Sequence, residues 1–482
     1  MGDTVESELT LDKRTTSRAG LLVLLAAALS GCLSLSSPDV DVSLPSRWRN
    51  APVTPPSPTP ELRSWWRNFS DPQLDTLIDQ ALEANLGIQE ARTRLHAARA
   101  LRRLARTEFL PELHGKTFDA VDPDASASFF VAGFDAGWEL GLFGRREGVQ
   151  RMARADLDRA SANVRDARLS LVAEVARNWI ELRAAQQREN LLTQIRDARL
   201  RQAELIAKRV SLALDSRQRD SRAQAAVADS QAALAAPRQA IVAAAQSLAA
   251  LLGRAEPEPA WLVAGPLPQL GAWQLTEAPA DLLRVRPDIA RSQAEVLRAS
   301  GELGVARADR YPNIGLGGSI HWSTNITANR QTQSDESISA LGPVIDIPLF
   351  DWGMRRARQS AKADELRAAA LAYRSTVLNA VAEVETALGA AEQQRQVEIH
   401  SLHAWQSLAE VAGYTRERQA LGLASGIDRI DSAVERDQAA LSLANARGAR
   451  DLAYISLFKA LGAAPITDAG HPPQKTPALG TP

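Results

Sequence analysis

Residues 355–388 read RRARQSAKADELRAAALAYRSTVLNAVAEVETAL, and this stretch decides the fold. Its apolar side chains recur at steps of three and four residues, which places them along one stripe of an α-helix: Leu366, Tyr373, Val377, Val381, Val384 and Leu388. Strong helix formers dominate, and the pattern runs from Arg355 to Leu461 with a single short break at Leu421-Gly422. At 1.5 Å per residue, the helix from Arg355 to Arg418 would be roughly 95 Å long. Such a length predicts an element that spans a distance.

The composition excludes several classes of protein. With 482 residues and 45% hydrophobic content the chain can bury a large core, but a net charge of −1 does not favour binding to nucleic acid. Six His and one Cys show no spacing typical of a zinc site, so we expect neither a metal nor a cofactor. After the N-terminal segment there is no run of about 20 apolar residues. The sequence contains no nucleophile or acid–base constellation that would indicate an enzyme.

The N-terminus is typical of an exported lipoprotein. Residues 1–31 carry a basic segment followed by a short apolar one, which predicts a signal peptide. The apolar segment ends Leu29-Ser30-Gly31-Cys32, which resembles a bacterial lipobox and makes Cys32 the expected site of lipid attachment. The alternative is a buried or free cysteine beside an ordinary signal. Residues 32–70 are expected to form a lipid-anchored tether, whose Ser- and Pro-rich part should pack little.

The body of the chain is predicted to consist of two repeats, 71–253 and 281–462, joined by a linker at 254–280 and followed by a disordered tail at 463–482. Each repeat contains a helix, a β-hairpin and two long helices. The first repeat has its hairpin at 111–143 and its long helices at 146–209 and 212–252. The second has its hairpin at 312–350 and its long helices at 355–418 and 423–461. In the first repeat, Pro237 should kink the second long helix.

The repeats are recognised by matching segments at a nearly constant offset. Val172-Ala173-Glu174-Val175 recurs as Val381-Ala382-Glu383-Val384, and Leu251-Leu252-Gly253 answers Ala460-Leu461-Gly462, both at an offset of 209. Leu142-Phe143-Gly144-Arg145 is matched with Leu349-Phe350-Asp351-Trp352, with two residues inserted. An internal duplication means that the fold is built from one unit used twice.

Four short strands in one chain cannot close a barrel, since barrels need at least about eight strands. An open sheet edge is not tolerated in lipid, so several chains are expected to share one barrel. The long helices, which carry narrow apolar stripes, likewise need neighbours on both sides. A strand barrel that continues into a ring of helices is a duct.

Several segments carry a resemblance to a known family: Leu29 to Cys32, Trp65-Trp66 with Phe69 and Asp71-Pro72, Trp138-Glu139-Leu140 with Leu142 to Arg145, Arg286-Pro287-Asp288-Ile289, and Ile347-Pro348-Leu349-Phe350. The chain resembles the outer-membrane efflux factors, the TolC-like and OprM-like channels, in their NodT-type lipoprotein branch. The resemblance implies a homotrimer with a twelve-stranded barrel in the outer membrane and a long helical barrel in the periplasm. It also implies a periplasmic adaptor (a membrane fusion protein), an inner-membrane RND-type transporter, and passive exit of drugs or other small molecules.

The resemblance implies in addition a gate at the periplasmic tip, where the turn between the long helices carries charged residues. Asp428 and Asp431 match the family's gate aspartates, and they share a helix face. Subtracting the offset of 209 places Arg219 and Arg222 at the equivalent sites of the first repeat. We expect the two aspartates to pair with one or both arginines, in the same chain or in a neighbouring one. The alternative is that all four are solvated surface charges.

A second reading of the whole chain is a structural lipoprotein, a coiled-coil spacer that tethers the outer membrane without conducting anything. A spacer needs long helices but no strands, and the aromatic- and glycine-containing segments before each long helix argue against it.

Overall fold

Long helices dominate the structure, a computed structural model that describes residues 45, 47–50, 61–120, 129–273, 286–325 and 336–463. In chain order they are α1 (Pro72–Ala84), α2 (Leu86–Thr107), α3 (Arg145–Ser211), α4 (Arg217–Ala232), α5 (Ala235–Leu251), α6 (Pro287–Ala308), α7 (Met354–Ala420) and α8 (Gly426–Ala460). A short 3-10 helix at Trp65–Phe69 precedes α1, and a one-turn helix at Pro259–Leu262 follows α5. The predicted class, mainly α with a small β part, is confirmed. No helix in the described ranges has an apolar stretch long enough to cross a bilayer.

The two predicted hairpins form one antiparallel sheet of four strands in the order β1 (Glu112–Ala120), β2 (Phe129–Glu139), β3 (Asn313–Asn325) and β4 (Glu336–Asp346). They join because β2 pairs with β3, with Glu139 opposite Gly315. The first hairpin is the shorter one, since β1 has 9 residues and β3 has 13. One face of the sheet exposes large apolar side chains: Leu113, Phe134, Leu316, Ile320, Trp322 and Leu341.

The described chain divides into two compact units, and each unit draws on both repeats. One contains Ala97–Asp158 and Ser292–Tyr373, and therefore the sheet. The other contains the described residues of Asp41–His96, Arg159–Arg291 and Arg374–Pro482, and therefore the turns that join α3 to α4 and α7 to α8.

The duplication extends to the backbone. The helices α3 and α7 both contain 67 residues, and their first residues differ in number by 209. Left-handed backbone at Phe143 and Gly144 recurs at Trp352 and Gly353. The matching of Leu142–Arg145 with Leu349–Trp352 is therefore wrong by two residues. That matching has an offset of 207 and so requires the two additional residues to come after Leu349, whereas the left-handed residues already have the offset of 209.

Two of the predicted helices are each observed as two shorter helices. The helix that precedes the first hairpin is interrupted at Asn85, whose ψ of 126° is extended, and is observed as α1 and α2. The Oδ1 atom of Asn85 accepts a hydrogen bond from the amide of Ile88 at 3.1 Å, so the side chain caps α2. At the start of α1, Asp71 caps the helix, because its side chain accepts a hydrogen bond from the amide of Gln73 at 2.8 Å.

The second division lies in the helix predicted at 212–252. It is observed as α4 and α5, with a turn at Ala233 and Leu234. Pro237 explains the break, since it has no N–H to donate to the Ala233 carbonyl and its ring crowds that carbonyl. The equivalent residue of the second repeat, Ala446, lies inside the continuous helix α8.

Each repeat ties the start of one helix to the end of another through the same contact. The Nδ2 atom of Asn85 donates to the carbonyl of Leu251 at 2.9 Å, and the guanidinium of Arg286 donates to the carbonyl of Ala460. Arg286 is buried and also forms ion pairs with Asp288 at 2.8 Å and Glu383 at 2.7 Å. Burial opposes the charge of Arg286, but these two carboxylates outweigh it and raise the pKa of the guanidinium.

An aromatic cluster fixes the segment before α1 to the end of α8. The Trp65 ring stacks on Phe458 with centroids 5.7 Å apart, and its Nε1 atom donates to the carbonyl of Ala463 at 3.3 Å. The hydroxyl of Tyr454 donates to the carbonyl of Trp65 at 3.1 Å. The tether predicted at 32–70 therefore includes a packed C-terminal part.

A second part of this segment also contacts the helices. The amides of Arg49 and Asn50 donate to the two carboxylate oxygens of Glu385 on α7, at 2.7 and 2.9 Å, and Trp48 is buried. Cys32 and the predicted signal peptide lie outside the described residues, as do residues 464–482 of the predicted disordered tail.

The contacts of Arg286 predict which half of its ion pair matters for folding. Arg286→Ala leaves Asp288 and the Ala460 carbonyl without their partner, so we expect a loss of about 3 kcal/mol in the free energy of unfolding. Glu383→Ala, at a side chain that is 56% exposed, should cost less than about 1 kcal/mol. Denaturant unfolding of the purified protein followed by circular dichroism measures both. Equal losses of unfolding free energy in the two variants would show that the buried Arg286 contributes no more to stability than the exposed Glu383.

Candidate functional site

The turns that join the long helices have the same geometry in both repeats. Ala213 and Gly422 are left-handed, with φ of 55° and 72°. The amide of Leu214 donates to the carbonyl of Arg209, and that of Leu423 to the carbonyl of Arg418, both at 2.8 Å. These hydrogen bonds satisfy carbonyls at the end of each long helix, which otherwise have no partner.

Asp428 has a structural role at the start of α8. Its amide donates to Ser425 Oγ at 3.1 Å, while its carboxylate accepts from the Ser425 amide at 2.8 Å, and the two bonds together form a capping box. Hydrogen bonds from the backbone amide and the side chain of Ser425 lower the pKa of the Asp428 carboxyl, and the more distant Arg418 and Arg219 lower it further.

The first repeat reaches the same cap with different residues. Ser216 Oγ accepts from the amide of Arg219 at 3.2 Å, but an arginine has no carboxylate to complete the box. Asp215 accepts from the Ser216 amide instead, at 2.9 Å, and it also pairs with Arg219 at 3.1 Å and Arg209 at 3.3 Å. The predicted inversion of charge between the repeats is therefore partly compensated by Asp215.

Asp431 contacts two residues of α3 that the sequence analysis missed. Its Oδ1 atom accepts from Gln202 Nε2 at 2.6 Å and lies 3.5 Å from Arg199, which in turn donates to Gln202 at 2.7 Å. The equivalent residues on α7 are Leu408 and Val411. The first repeat thus has two polar residues where the second has two apolar ones. A comparison of the repeats could have identified Arg199 and Gln202 by this difference.

Apolar contacts hold α8 against α3 on either side of Asp431. Ile427 packs with Ala203, Ile206 and residues of α4, and Ile430 and Val434 pack with Ile195 and Ala198. Asp431 thus lies between buried apolar contacts along α8, although 46% of its side chain is exposed. Arg222 is exposed, and Arg219 binds Asp215 within the chain. Pairing of the aspartates with Arg219 or Arg222 of another chain stays a prediction.

A second charged cluster lies farther along α8. Arg447 pairs with Glu398 at 3.3 Å, and the first repeat has the equivalent pair, Arg238 with Glu189, at 2.8 Å. To this repeated pair the second repeat adds Arg450 and Asp451, and Arg450 contacts Glu398 at 2.6 Å and Asp451 at 2.7 Å.

Asp451 is fully buried, and its Oδ2 atom has no hydrogen-bond partner. Burial is the main cause that raises the pKa of Asp451 to about 7, although Arg450 opposes the rise. The equivalent residue of the first repeat is Val242, which is exposed. In the described ranges, no group of His, Cys, Asp and Glu side chains could hold a metal ion.

Long paired helices joined to a four-stranded sheet define a class of protein, the membrane-channel subunit. The open state of the MtrE outer membrane channel of Neisseria gonorrhoeae has this fold, with a TM-score of 0.77 and 26% sequence identity over 89% of this chain and 96% of that one. The sequence profile of the outer membrane efflux proteins matches residues 77–254 and 278–463. The chain belongs to the outer membrane efflux protein family.

Curated relatives agree with this assignment. The chain is 27% identical to Nodulation protein T of Rhizobium leguminosarum bv. viciae, over 80% of each sequence. It is 26% identical to the pyoverdine export outer membrane protein OpmQ of Pseudomonas aeruginosa, over 92% of this chain and 96% of that protein. The resemblance drawn from the sequence is confirmed, and with it efflux as the function and the outer membrane as the location. Members of the family are channel proteins.

The raised pKa of Asp451 predicts a pH-dependent term in stability. An unfolded aspartic acid has a pKa of about 3.9, so the folded chain binds this proton more tightly. The resulting stabilisation is fully present below pH ~4 and is lost as the pH rises through about 7. Asp451→Asn removes the titration. The melting temperature of the variant minus that of the wild type should therefore be larger at about pH 8 than at about pH 5.

Val242→Asn is the control for this measurement, because Val242 is the equivalent position of the first repeat, is exposed and carries no titratable group. It should leave the pH dependence of the melting temperature as in wild type. Identical pH profiles for wild type and Asp451→Asn would contradict the assignment.

The tip geometry also predicts how a gate would be tested. If the aspartates hold the tip closed, Asp428→Ala combined with Asp431→Ala should raise the closed-state conductance in a planar bilayer. Ser425→Ala is the control, because it breaks the same helix cap, at a cost of about 1 kcal/mol, and keeps both carboxylates. An unaltered conductance in the double variant, or the same rise in the control, would count against a gate made by these charges.

Proposed function

We propose that three copies of this chain form one duct through the outer membrane and the periplasm. Twelve strands, four from each copy, would close a barrel in the membrane, and the long helices would continue the passage below it. The duct passively releases small molecules, such as drugs, which an inner-membrane RND-type transporter delivers through a periplasmic adaptor. In this proposal the chain catalyses no reaction, since the transporter supplies the energy.

The observation that carries the proposal is the sheet. Within the described residues, β1 and β4 each pair with a single neighbour, so one edge of each strand has unpaired backbone groups. The apolar face is suited to lipid, where Leu341 is 89% and Trp322 is 50% exposed. A backbone edge is not tolerated in lipid, and pairing β4 of one copy with β1 of the next removes every edge.

The helices also support an assembly in which copies of the chain pack against one another. Leu169 on α3 is 5% exposed, whereas the equivalent Leu378 on α7 is 53% exposed. The repeats place the same side chain at the same position, but among the described residues only Leu169 is covered. A second copy would cover the exposed stripe of α7, as a coiled-coil partner does.

Related proteins indicate what kinds of molecule the duct releases. OpmQ of Pseudomonas aeruginosa is a pyoverdine export protein, and TtgC of a Pseudomonas putida strain is the outer membrane protein of a toluene efflux pump. Substances as different as these fit an exit duct whose selectivity lies mainly in the transporter. We infer in addition that Cys32 carries lipid that anchors the chain to the outer membrane, while residues 48–50 fix the tether to α7.

The assembly is tested on the full-length protein purified in detergent. Native mass spectrometry should find three copies per particle, and electron microscopy should show a central opening. Leu378→Glu should lower the trimeric fraction, because it places a charge on the shared stripe, whereas Leu378→Met keeps the stripe apolar and should assemble as wild type does. A single-copy particle without an opening would overturn the proposal.

A further inference from the structure

The sheet has a second face of opposite character. The strand register places alternate residues on one side. Besides Val131 and Val344, the side away from Phe134 and Trp322 carries mainly small and polar residues: His114, Lys116, Gly133, Asp135, Gly137, Gly317, Ser319 and His321. Charged side chains are not stable against lipid. Given the barrel of the proposed function, on which this inference rests, the polar face lines the bore.

Three side chains of this face form a connected cluster across three strands. The Nζ atom of Lys116 on β1 lies 2.9 Å from Asp135 Oδ2 on β2, and the Nε2 atom of His321 on β3 lies 2.9 Å from Asp135 Oδ1. Each carboxylate oxygen therefore has a partner of its own.

The backbone beneath the cluster leaves room for it. Gly133 lies opposite Lys116 on one side and opposite His321 on the other. A Cβ atom at this position would lie 2.3 Å from the His321 ring and 2.4 Å from the carbonyl of Ile320. A residue larger than glycine would therefore displace the imidazole from its place beside Asp135.

The protonation of His321 decides the charge of this cluster. Lys116 and Asp135 cancel, so the three side chains sum to zero with a neutral imidazole and to one positive charge with an imidazolium. All three remain open to solvent, with exposed fractions of 59% for Lys116, 29% for Asp135 and 31% for His321. Three copies would place up to three positive charges around one bore.

Other titratable residues share this face of the sheet. On β1, His114 lies 3.3 Å from Glu112, and on β2, Glu139 is paired with Arg145 at 2.9 Å. The register places Ile338 of β4 opposite His321, and Asp346 lies at the far end of β4 on the same face. A measurement on His321 must therefore be separated from the response of His114.

We propose that Lys116, Asp135 and His321 are the charge filter of the membrane end of the duct, and that protonation of His321 shifts the filter towards anions. Protonation of the His321 imidazole then favours the exit of anionic molecules. With a neutral imidazole the filter is balanced and discriminates little by charge.

The first test is ion selectivity of the full-length protein in planar bilayers under a potassium chloride gradient. The reversal potential should show the chloride-to-potassium permeability ratio rising at least about twofold from roughly pH 7.5 to pH 5.5. His321→Gln should remove at least about half of that rise. His114→Gln should remove less, and His403→Gln on α7 should leave the rise intact.

The other two members of the cluster shift selectivity in opposite directions. At neutral pH, Asp135→Asn should raise the permeability ratio above that of wild type, and Lys116→Gln should lower it below. If the variants conduct normally but this order is absent, or if His321→Gln keeps the full pH response, the filter does not exist.

A second measurement asks which face lines the bore. In His321→Cys, a charged thiol reagent that cannot enter lipid should alter the conductance within the trimer. In Ile320→Cys, the neighbouring position on the apolar face, it should not. Equal responses of the two variants would overturn the assignment of the faces. Loss of the trimer or of all conductance in the unmodified protein would instead refute the proposed duct.

Discussion

The structure depends on the unpaired backbone groups at the two outer strands of the sheet. A strand edge in water is a site of aggregation, and a strand edge in lipid costs several kcal/mol for each unsatisfied group. A four-stranded sheet with an apolar face therefore cannot be the complete membrane part of an outer membrane efflux protein. The same incompleteness recurs in the helices, where Leu378 is exposed while Leu169 is buried. In the proposed duct, one chain supplies a sector of the barrel and copies of that chain close it.

Duplication makes the two halves of the sector nearly equivalent, so their differences are informative. Shared features maintain the fold: helices of equal length, left-handed residues at the same turns, and the contact that Asn85 and Arg286 each make with the end of a helix. Features found in one half only are not needed to build the repeat. Asp451 in place of Val242, and Arg199 with Gln202 in place of Leu408 with Val411, belong to this second group.

The candidate gate could be predicted in part. Asp428 and Asp431 stood out because they match the family's gate aspartates, and the helix face that they share is a local property of the sequence. Their partners did not, because Ser425 closes a cap whose geometry depends on the turn, and Gln202 and Arg199 lie more than two hundred residues away on α3. Arg219 was expected near the aspartates, but Asp215, four residues before it, is its ion-pair partner within the chain. The cluster of Lys116, Asp135 and His321 was missed altogether, since it joins three strands from two hairpins.

By itself, the sequence determined the long helices and the two hairpins, because these follow from periodicity and composition that act within a few residues of one another. It also showed the duplication, through segments that match at a constant offset, and the family, through the motifs that carry its resemblance. It also placed the kink caused by Pro237, since a missing N–H acts only on its own helix. Only the tertiary structure decided that β2 pairs with β3, that Trp65 packs on Phe458, and that Asp451 is buried beside Arg450. These contacts join segments whose separation in the chain says nothing about their distance in space, so they are set by which surfaces fit together once the helices and strands have formed.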